Sequence, residues 1–380
     1  MKGFAAEIGG DAGPVSDFEV IPYALPFKAP YTTARGTLSR REMVLLRVYT
    51  SDGLVGLGEA VPLSLRGGRT LDHVVAELRG LRNRFGDEVE SGRTEILTAA
   101  MRDLSAPSRC ALTTAWLDLG GKAQGLPAWK LLGAHRSAPV PCNATLTAGK
   151  PADVSGQATS WADDGYSTFK LKLGLADDVD QVAAVREAVG PKASLRIDAN
   201  GAWGPDEAVS KLKRIAKYEV ELAEQPCSSL AELAEVRAQC DVPIAADESI
   251  ASVEDAQQAV DADACDLATV KLSKVGGPLA AKGVAAYIPT YMSSALDGPV
   301  GIAAAAHTAL ALYPEGNTEI GDRSPGGRDP SLAHGLATQR LFAETIASRE
   351  CELRDGFLHL AEGPGLGVEI DDAALEAARL

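Results

Sequence analysis

Thr168-Phe169-Lys170-Leu171-Lys172-Leu173 is a short β-forming run with charges at alternate positions, and its form recurs along the chain that follows. Ser194–Asp198, Val220–Glu224 and residues 243–247 and 267–271 are also β-branched or apolar runs that close on a polar side chain. The closing residues are Lys172, Asp198, Glu224, Asp247 and Lys271, and successive ones lie 26, 26, 23 and 24 residues apart. Amphipathic patterns of helical period occupy the intervals, at Asp178–Val189 and at residues 205–217 and 230–240. Working outward, a similar run at 140–146 precedes the series, and runs at 290–294 and 334–338 follow it. Eight strands alternating with helices predict an α/β fold, a parallel (β/α) barrel. Only the Gly/Pro-rich connection 313–331 fits no pattern.

Upstream, the chain is patterned differently. Residues 17–59 read as an antiparallel meander, in which strands at 43–49 and 54–59 flank the turn Ser51-Asp52-Gly53. Helical patterns follow at 71–81 and 108–124, the second with Leu112, Ala115, Trp116 and Leu119 on one face. The domains expected are an α+β capping unit at 1–135, the barrel at 136–350 and a tail at 351–380 that returns to the first unit. The tail reads as two short strands and a helix at 373–378, and the Gly/Ala-rich first dozen residues read as loose.

Composition sets outer limits. A chain of 380 residues that is 46% hydrophobic is long enough for a barrel plus a smaller domain. A net charge of −15 disfavours nucleic acid or an anionic membrane as partner. The cysteines (Cys110, Cys142, Cys227, Cys240, Cys265 and Cys351) form no Cys-x-x-Cys pair and read as free thiols in a reducing compartment. No apolar stretch suits a bilayer span or a leader, so a cytoplasmic enzyme acting on a small molecule is expected, with homo-oligomerisation left open.

The five closing residues carry the chemistry. Separated by one βα unit each, they fall at matching heights at the C-terminal strand ends, where barrels of this kind place catalytic groups. Neighbouring strands lie about 4.8 Å apart, so Asp198, Glu224 and Asp247 can converge on one ion. An all-oxygen set without His or Cys suits Mg²⁺, with Mn²⁺ possible and zinc disfavoured. Taken singly, each carboxylate could equally cap the next helix; five in phase with the βα period point to a site. Lys170 and Lys172, two apart on a strand, share the interior face, and like charge there is expected to lower the pKa of at least one into the range of a base. Lys271 enters from the far side of the carboxylates. Asn200, two past Asp198, and Glu248, next to Asp247, are candidates to orient these groups.

At these positions the sequence resembles the muconate lactonizing enzyme subgroup of the enolase superfamily. The matching stretches are Phe169-Lys170-Leu171-Lys172, Ile197-Asp198-Ala199-Asn200-Gly201-Ala202-Trp203, Glu224-Gln225-Pro226, Ala246-Asp247-Glu248-Ser249 and Val270-Lys271 with Val275-Gly276-Gly277. The resemblance runs through the helix around Ala115-Trp116-Leu117-Asp118-Leu119 to Gly363-Pro364-Gly365-Leu366-Gly367. It implies an enolase-type barrel with its capping domain and α-proton abstraction beside a carboxylate held at Mg²⁺. Within the subgroup, Asn143-Ala144-Thr145, Ser293-Ser294-Ala295-Leu296-Asp297 and Gly335-Leu336-Ala337-Thr338 are most similar to the o-succinylbenzoate synthases. That likeness implies a lyase that dehydrates a cyclohexadiene carboxylate with a succinyl arm, on the route to menaquinone. Lys172 would be the base, Lys271 a cation facing the ring, and Lys170 would tune Lys172. Asn143, Ser293, Ser294, Gly335, Leu336 and Ala337 would bind substrate, with capping loops at 26–35 and 63–69 setting its choice. The same lysines would also suit an N-acylamino acid racemase, and an acid such as Glu319 or Asp322 a muconate cycloisomerase. The absence of Asp-x-Asp on strand eight counts against dipeptide epimerisation.

Weaker signals remain. Gly53-x-x-Gly56-x-Gly58 precedes no helix and Gly363–Gly367 lacks a Lys-Ser/Thr ending, so neither reads as a nucleotide loop. His307 reads as a packing residue, and His334 as packing or a substrate contact.

Overall fold

The computed structural model describes residues 13–33, 36–63, 68–85, 101–174, 178–312 and 332–380. Three antiparallel strands, β1 (Val15–Thr33), β2 (Gly36–Thr50) and β3 (Val55–Ala60), form the capping sheet in that order. Helices α1 (Leu71–Phe85) and α2 (Ala106–Gln124) pack on it, and the short α3 (Ala128–Leu131) leads out. The glycine pattern of β3 serves this packing. A Cβ on Gly58 would lie 1.9 Å from the Ala111 carbonyl oxygen, and one on Gly56 2.4 Å from that of Ala115. The strand thus lets α2 approach to backbone contact.

The barrel strands are β5 (Ala144–Leu146), β6 (Thr168–Lys172), β7 (Ser194–Asp198), β8 (Val220–Glu224), β9 (Ile244–Ala246), β10 (Leu267–Val270) and β11 (Thr290–Met292), all parallel and paired in sequence order. A two-residue β4 (Val140–Pro141) precedes them. Alternating helices include α4 (Pro151–Asp163), α5 (Asp178–Val189), α6 (Pro205–Ile215), α7 (Leu230–Arg237), α8 (Val253–Asp261), α9 (Leu272–Val275), α10 (Pro278–Ala285) and α11 (Pro299–Leu310). Helix α7 opens with a reciprocal capping box between Ser229 and Glu232.

Two strand expectations need correction. The run at 140–146 is divided: Pro141 cannot donate to a ladder, Val140 pairs antiparallel with Leu358 of the tail, and only Ala144–Leu146 joins the barrel. The run at 334–338 is a two-residue stave. His334 bridges Cys142 on one edge and Gly335 bridges Ser293 on the other, which closes the ring. A Cβ on Gly335 would lie 2.7 Å from the Ser293 hydroxyl oxygen, and beyond it the chain coils into a 3-10 turn at Ala337–Leu341. The unassigned connection 313–331, with Glu319 and Asp322, and the first dozen residues lie outside the described residues.

The tail forms β12 (Ala347–Arg349), β13 (Glu352–Arg354), β14 (Phe357–His359), β15 (Glu369–Ile370) and α12 (Asp372–Ala378). Strand β14 pairs with β4 and β12 with β15; the end of the tail reaches the capping sheet, where Leu380 N–H donates to the Pro22 carbonyl at 3.0 Å and Arg47 pairs with Asp372. Asp118 of α2, 1% exposed, joins three segments: its carboxylate accepts Leu57 N–H at 2.8 Å, Leu366 N–H at 2.7 Å and Lys122 Nζ at 2.7 Å. A Cβ on Gly365, at φ +67°, would meet that carboxylate at 2.1 Å, so the terminal glycine motif is a packing turn. Among the described residues no helix is long and apolar enough to cross a membrane.

Candidate active site

The barrel interior is built from side chains two residues apart on each strand, in layers. Leu222, Ala245 and Leu267 pack with Tyr291 in a small apolar cluster. Two residues further along β8, β9 and β10 come Glu224, Asp247 and Thr269, and Lys271 follows two beyond that. Register aligns Lys172 with Asp198, and Asp198 with Glu224. Asp198 and Asp247 are 0% exposed and Glu224 1%; Lys170, Lys172 and Lys271 are almost as deeply buried.

Ammonium groups lie against all three carboxylates. Lys170 Nζ bridges Asp198 Oδ2 at 2.9 Å and Glu224 Oε2 at 2.6 Å, while Lys172 Nζ contacts Asp198 Oδ2 at 2.5 Å and Asn200 Oδ1 at 3.1 Å. Lys271 pairs with Asp247 Oδ2, and Lys274 reaches Asp247 Oδ1 at 2.8 Å and the Thr269 carbonyl at 2.9 Å. In this arrangement no three His, Cys, Asp or Glu side chains among the described residues converge closely enough to hold an ion. The donor set nevertheless fits a hard divalent cation. Three carboxylates are buried at adjacent strand ends, and the Lys170 ammonium stands between two of them where a cation belongs.

The electrostatics correct one expectation. Burial pushes Lys172 down most, and Lys170 adds to that as anticipated, but Asp198, together with Tyr31 and Glu224, leaves it raised above the ordinary lysine value. Lys170, also opposed by burial, is driven well above it by Asp198 and Glu224. Burial alone would raise Asp198, but Lys170 and Lys172 hold it far below the usual carboxylate range, whereas burial and Asp198 leave Glu224 raised.

A cavity opens above these groups, between the barrel and the capping domain. Lys170, Lys172, Asn200 and Lys271 form its floor, and Ser293, Ser294 and Gly335 one wall. Asn143 is absent from the lining; its Nδ2 turns to the Ala144 carbonyl and Thr145 Oγ1, and Thr145 faces the cavity instead. Leu336 and Ala337 are buried beside it, with Thr338 exposed to it in their place. Asn200 accepts Lys172 and donates to Glu248 Oε1 at 3.1 Å, so both orienting candidates join the network. His334 does not line the cavity; its Nδ1 accepts Met292 N–H at 2.9 Å.

The two halves of the chain match two family descriptions: residues 17–133 the mandelate racemase / muconate lactonizing enzyme N-terminal domain, and residues 153–374 the enolase C-terminal domain-like family. The protein belongs to the muconate lactonizing enzyme subgroup of the enolase superfamily. It is similar to o-succinylbenzoate synthase of Thermobifida fusca, 43% identical over 63% of this chain and 73% of that one. It is also similar to muconate cycloisomerase 1 of Pseudomonas putida, 30% identical over 94% of this chain and 96% of that one. The muconate lactonizing enzyme of Pseudomonas fluorescens, in complex with muconolactone, superposes with a TM-score of 0.86 at 29% identity, over 97% of this chain and all of that one.

Several residues of this enolase-superfamily site escape sequence reasoning. Leu38 and Arg41 of the capping domain form the roof together with Tyr31 and Leu63, which fall in the stretches 26–35 and 63–69 expected to set substrate choice. Residues 26–33, expected as a loop, instead belong to strand β1, and 34–35 and 64–67 lie outside the described residues. Gln225, in the quoted Glu-Gln-Pro motif, ties two strand ends together: its Oε1 accepts Asp247 N–H at 2.8 Å and its Nε2 donates to Ser249 Oγ at 2.6 Å. Lys274 had a usable signal, lying one helical turn after Lys271 in an apolar context.

Proposed function

We propose that this enzyme is an o-succinylbenzoate synthase, a lyase that dehydrates a cyclohexadiene carboxylate bearing a succinyl arm. One observation carries the reading. Lys172 and Lys271 open into a single cavity whose wall is made of Ser293, Ser294 and Gly335, within the stretches that resemble those synthases.

In this reading Asp198, Glu224 and Asp247 hold Mg²⁺ or Mn²⁺, which would neutralise the substrate carboxylate and the negative charge that builds on it. Once Asp198 is committed to that ion, its charge no longer keeps Lys172 protonated, and neutral Lys172 Nζ takes the proton from the carbon beside the substrate carboxylate. The electron pair then expels hydroxide from the neighbouring carbon, and the Lys172 ammonium returns the proton so that water leaves. The ring becomes aromatic, which makes the elimination favourable; the protein contributes chiefly base, charge and orientation. Lys271 faces the ring as a cation, Lys170 tunes Lys172 and holds the substrate carboxylate, and the capping-domain roof encloses the arm. This cytoplasmic route leads toward menaquinone.

The test is direct. Enzyme, Mg²⁺ and the cyclohexadiene substrate should give a rapid ultraviolet change that chelator or Lys172→Ala abolishes; no turnover would end this reading. The pair of lysines reaching one cavity also supports a second reading, 1,1-proton transfer on an N-acylamino acid. Deuterium uptake at the α-carbon in D₂O, lost in either lysine variant, would favour it over elimination.

A further inference from the structure

Below the cavity floor the barrel holds a polar group that the proposed chemistry leaves unused. Arg196 of β7, 1% exposed, pairs through Nε with Glu221 at 2.6 Å and donates to the Ala333 carbonyl at 2.5 Å. Its guanidinium carbon lies 4.8 Å from the centre of the Tyr291 ring, a cation–π contact between two buried side chains. Tyr291 is 0% exposed, and Leu222, Ala245 and Leu267 pack against it. Thr269 Oγ1 donates to the Tyr291 hydroxyl at 2.7 Å, and that hydroxyl donates to Glu224 Oε2 at 2.6 Å.

The direction of this chain follows from the hydrogen count. A carboxylate only accepts, so the single phenol hydrogen goes to Glu224 and the phenol oxygen is left to accept from Thr269. The ring cannot swing away, because Arg196 covers one region of it and the apolar layer another. Glu224 is therefore held by two groups: by Lys170, whose ammonium stands in a cation's place and contacts both carboxylate oxygens, and by the neutral Tyr291 hydroxyl, which reaches Oε2 from below the cavity floor.

We propose that Tyr291 is a positioning residue for the metal site, fixed by Thr269 and Arg196 so that its hydroxyl orients Glu224 toward the cavity. This rests on the reading that Asp198, Glu224 and Asp247 bind a divalent ion. Partners of this kind typically change metal affinity by about 10- to 100-fold. A tyrosine that merely fills the barrel would have no such effect once its ring is preserved.

Metal-free wild type, Tyr291→Phe and Thr269→Val are titrated with Mn²⁺, free ion being followed by electron paramagnetic resonance, and each protein is melted in chelator. Tyr291→Phe should raise the Mn²⁺ dissociation constant about tenfold while melting close to wild type in chelator, and Thr269→Val should raise it less. A dissociation constant within twofold of wild type in a folded Tyr291→Phe protein overturns the proposal. Should that variant fail to fold, Thr269→Val decides: an unchanged constant overturns the proposal and a weakened one supports it. A wild type that binds no Mn²⁺ overturns the metal reading and this inference together, which separates that failure from one confined to Tyr291.

Discussion

Glu59, on the last strand of the capping sheet, accepts the backbone N–H of Gly298 at 2.7 Å, across a sequence separation of 239 residues. Gly298 precedes α11, so a carboxylate of one domain caps a helix of the other. Tyr23 donates to the second oxygen at 3.0 Å. Asp297 beside it accepts Ser294 Oγ at 2.7 Å, and Ser294 to Leu296 line the cavity, with Leu296 held at φ +65°. Docking of the capping domain and the shape of the cavity wall are thus joined at one carboxylate.

That carboxylate should give stability an unusual pH dependence. Burial, with Asp297 next, pushes Glu59 up to about 7 from 4.5. Between those values the folded state keeps a proton that the unfolded state releases, so stability falls as pH rises and about 3 kcal/mol is lost by pH 8. Glu59→Gln cannot titrate. Calorimetry from pH 5 to pH 8 should show the variant gaining on wild type as pH rises; a gap that stays constant would contradict the assignment. Gly298→Ala should destabilise by about 1–3 kcal/mol at all pH values, since its Cβ would meet the Tyr23 hydroxyl at 2.3 Å.

His307 should act in the opposite sense at lower pH. Trp129 N–H donates to its Nδ1 at 3.0 Å, and Nε2 faces the Leu366 carbonyl at 3.3 Å, as befits the packing residue read from the sequence. Burial lowers it to about 4 from 6.5. The unfolded chain takes up the proton first, so stability is complete above pH 6.5 and about 3 kcal/mol is lost as pH falls toward 4. His307→Gln, which can keep both hydrogen bonds, should flatten this acid limb in urea titrations at pH 4.5 and 7.

Asp118→Ala should cost about 2–4 kcal/mol, because it strands the buried N–H groups of Leu57 and Leu366, while part-exposed Lys122 keeps the Val55 carbonyl as partner. Hydrogen exchange should then show early loss of protection at Leu57 and Leu366 together. Loss at only one of them would mean that the carboxylate does not couple the tail to the capping sheet.

Lys172→Ala should lower kcat by about 10²–10⁴ with little change in Mn²⁺ affinity, as removal of a proton-transfer group does. Equal losses of metal binding and turnover would recast Lys172 as a support for Asp198, with which it pairs at 2.5 Å.

Much of this was legible in the chain alone, because barrel geometry is periodic. Inward side chains recur every second residue and strand ends about every 25, so Lys172, Asp198, Glu224, Asp247 and Lys271 announce a shared interior before any coordinate is known. Where the period lapses, the reading slipped: Pro141 divides one strand, and the eighth is reduced to two bridging residues. Choices between side chains of one stretch were equally illegible, since Asn143 and Thr145, or Ala337 and Thr338, differ in which way a short irregular segment turns.

The sequence by itself determined the barrel and the residues gathered at its mouth, since both follow from local repeats in hydrophobicity and charge. Only the tertiary structure decided what those residues meet. Lys170 is raised because two carboxylates face it, Glu224 is held by a phenol 67 residues away, and the roof includes Leu38 and Arg41. Contacts of that range depend on how separate elements pack in three dimensions, and no periodic signal encodes them.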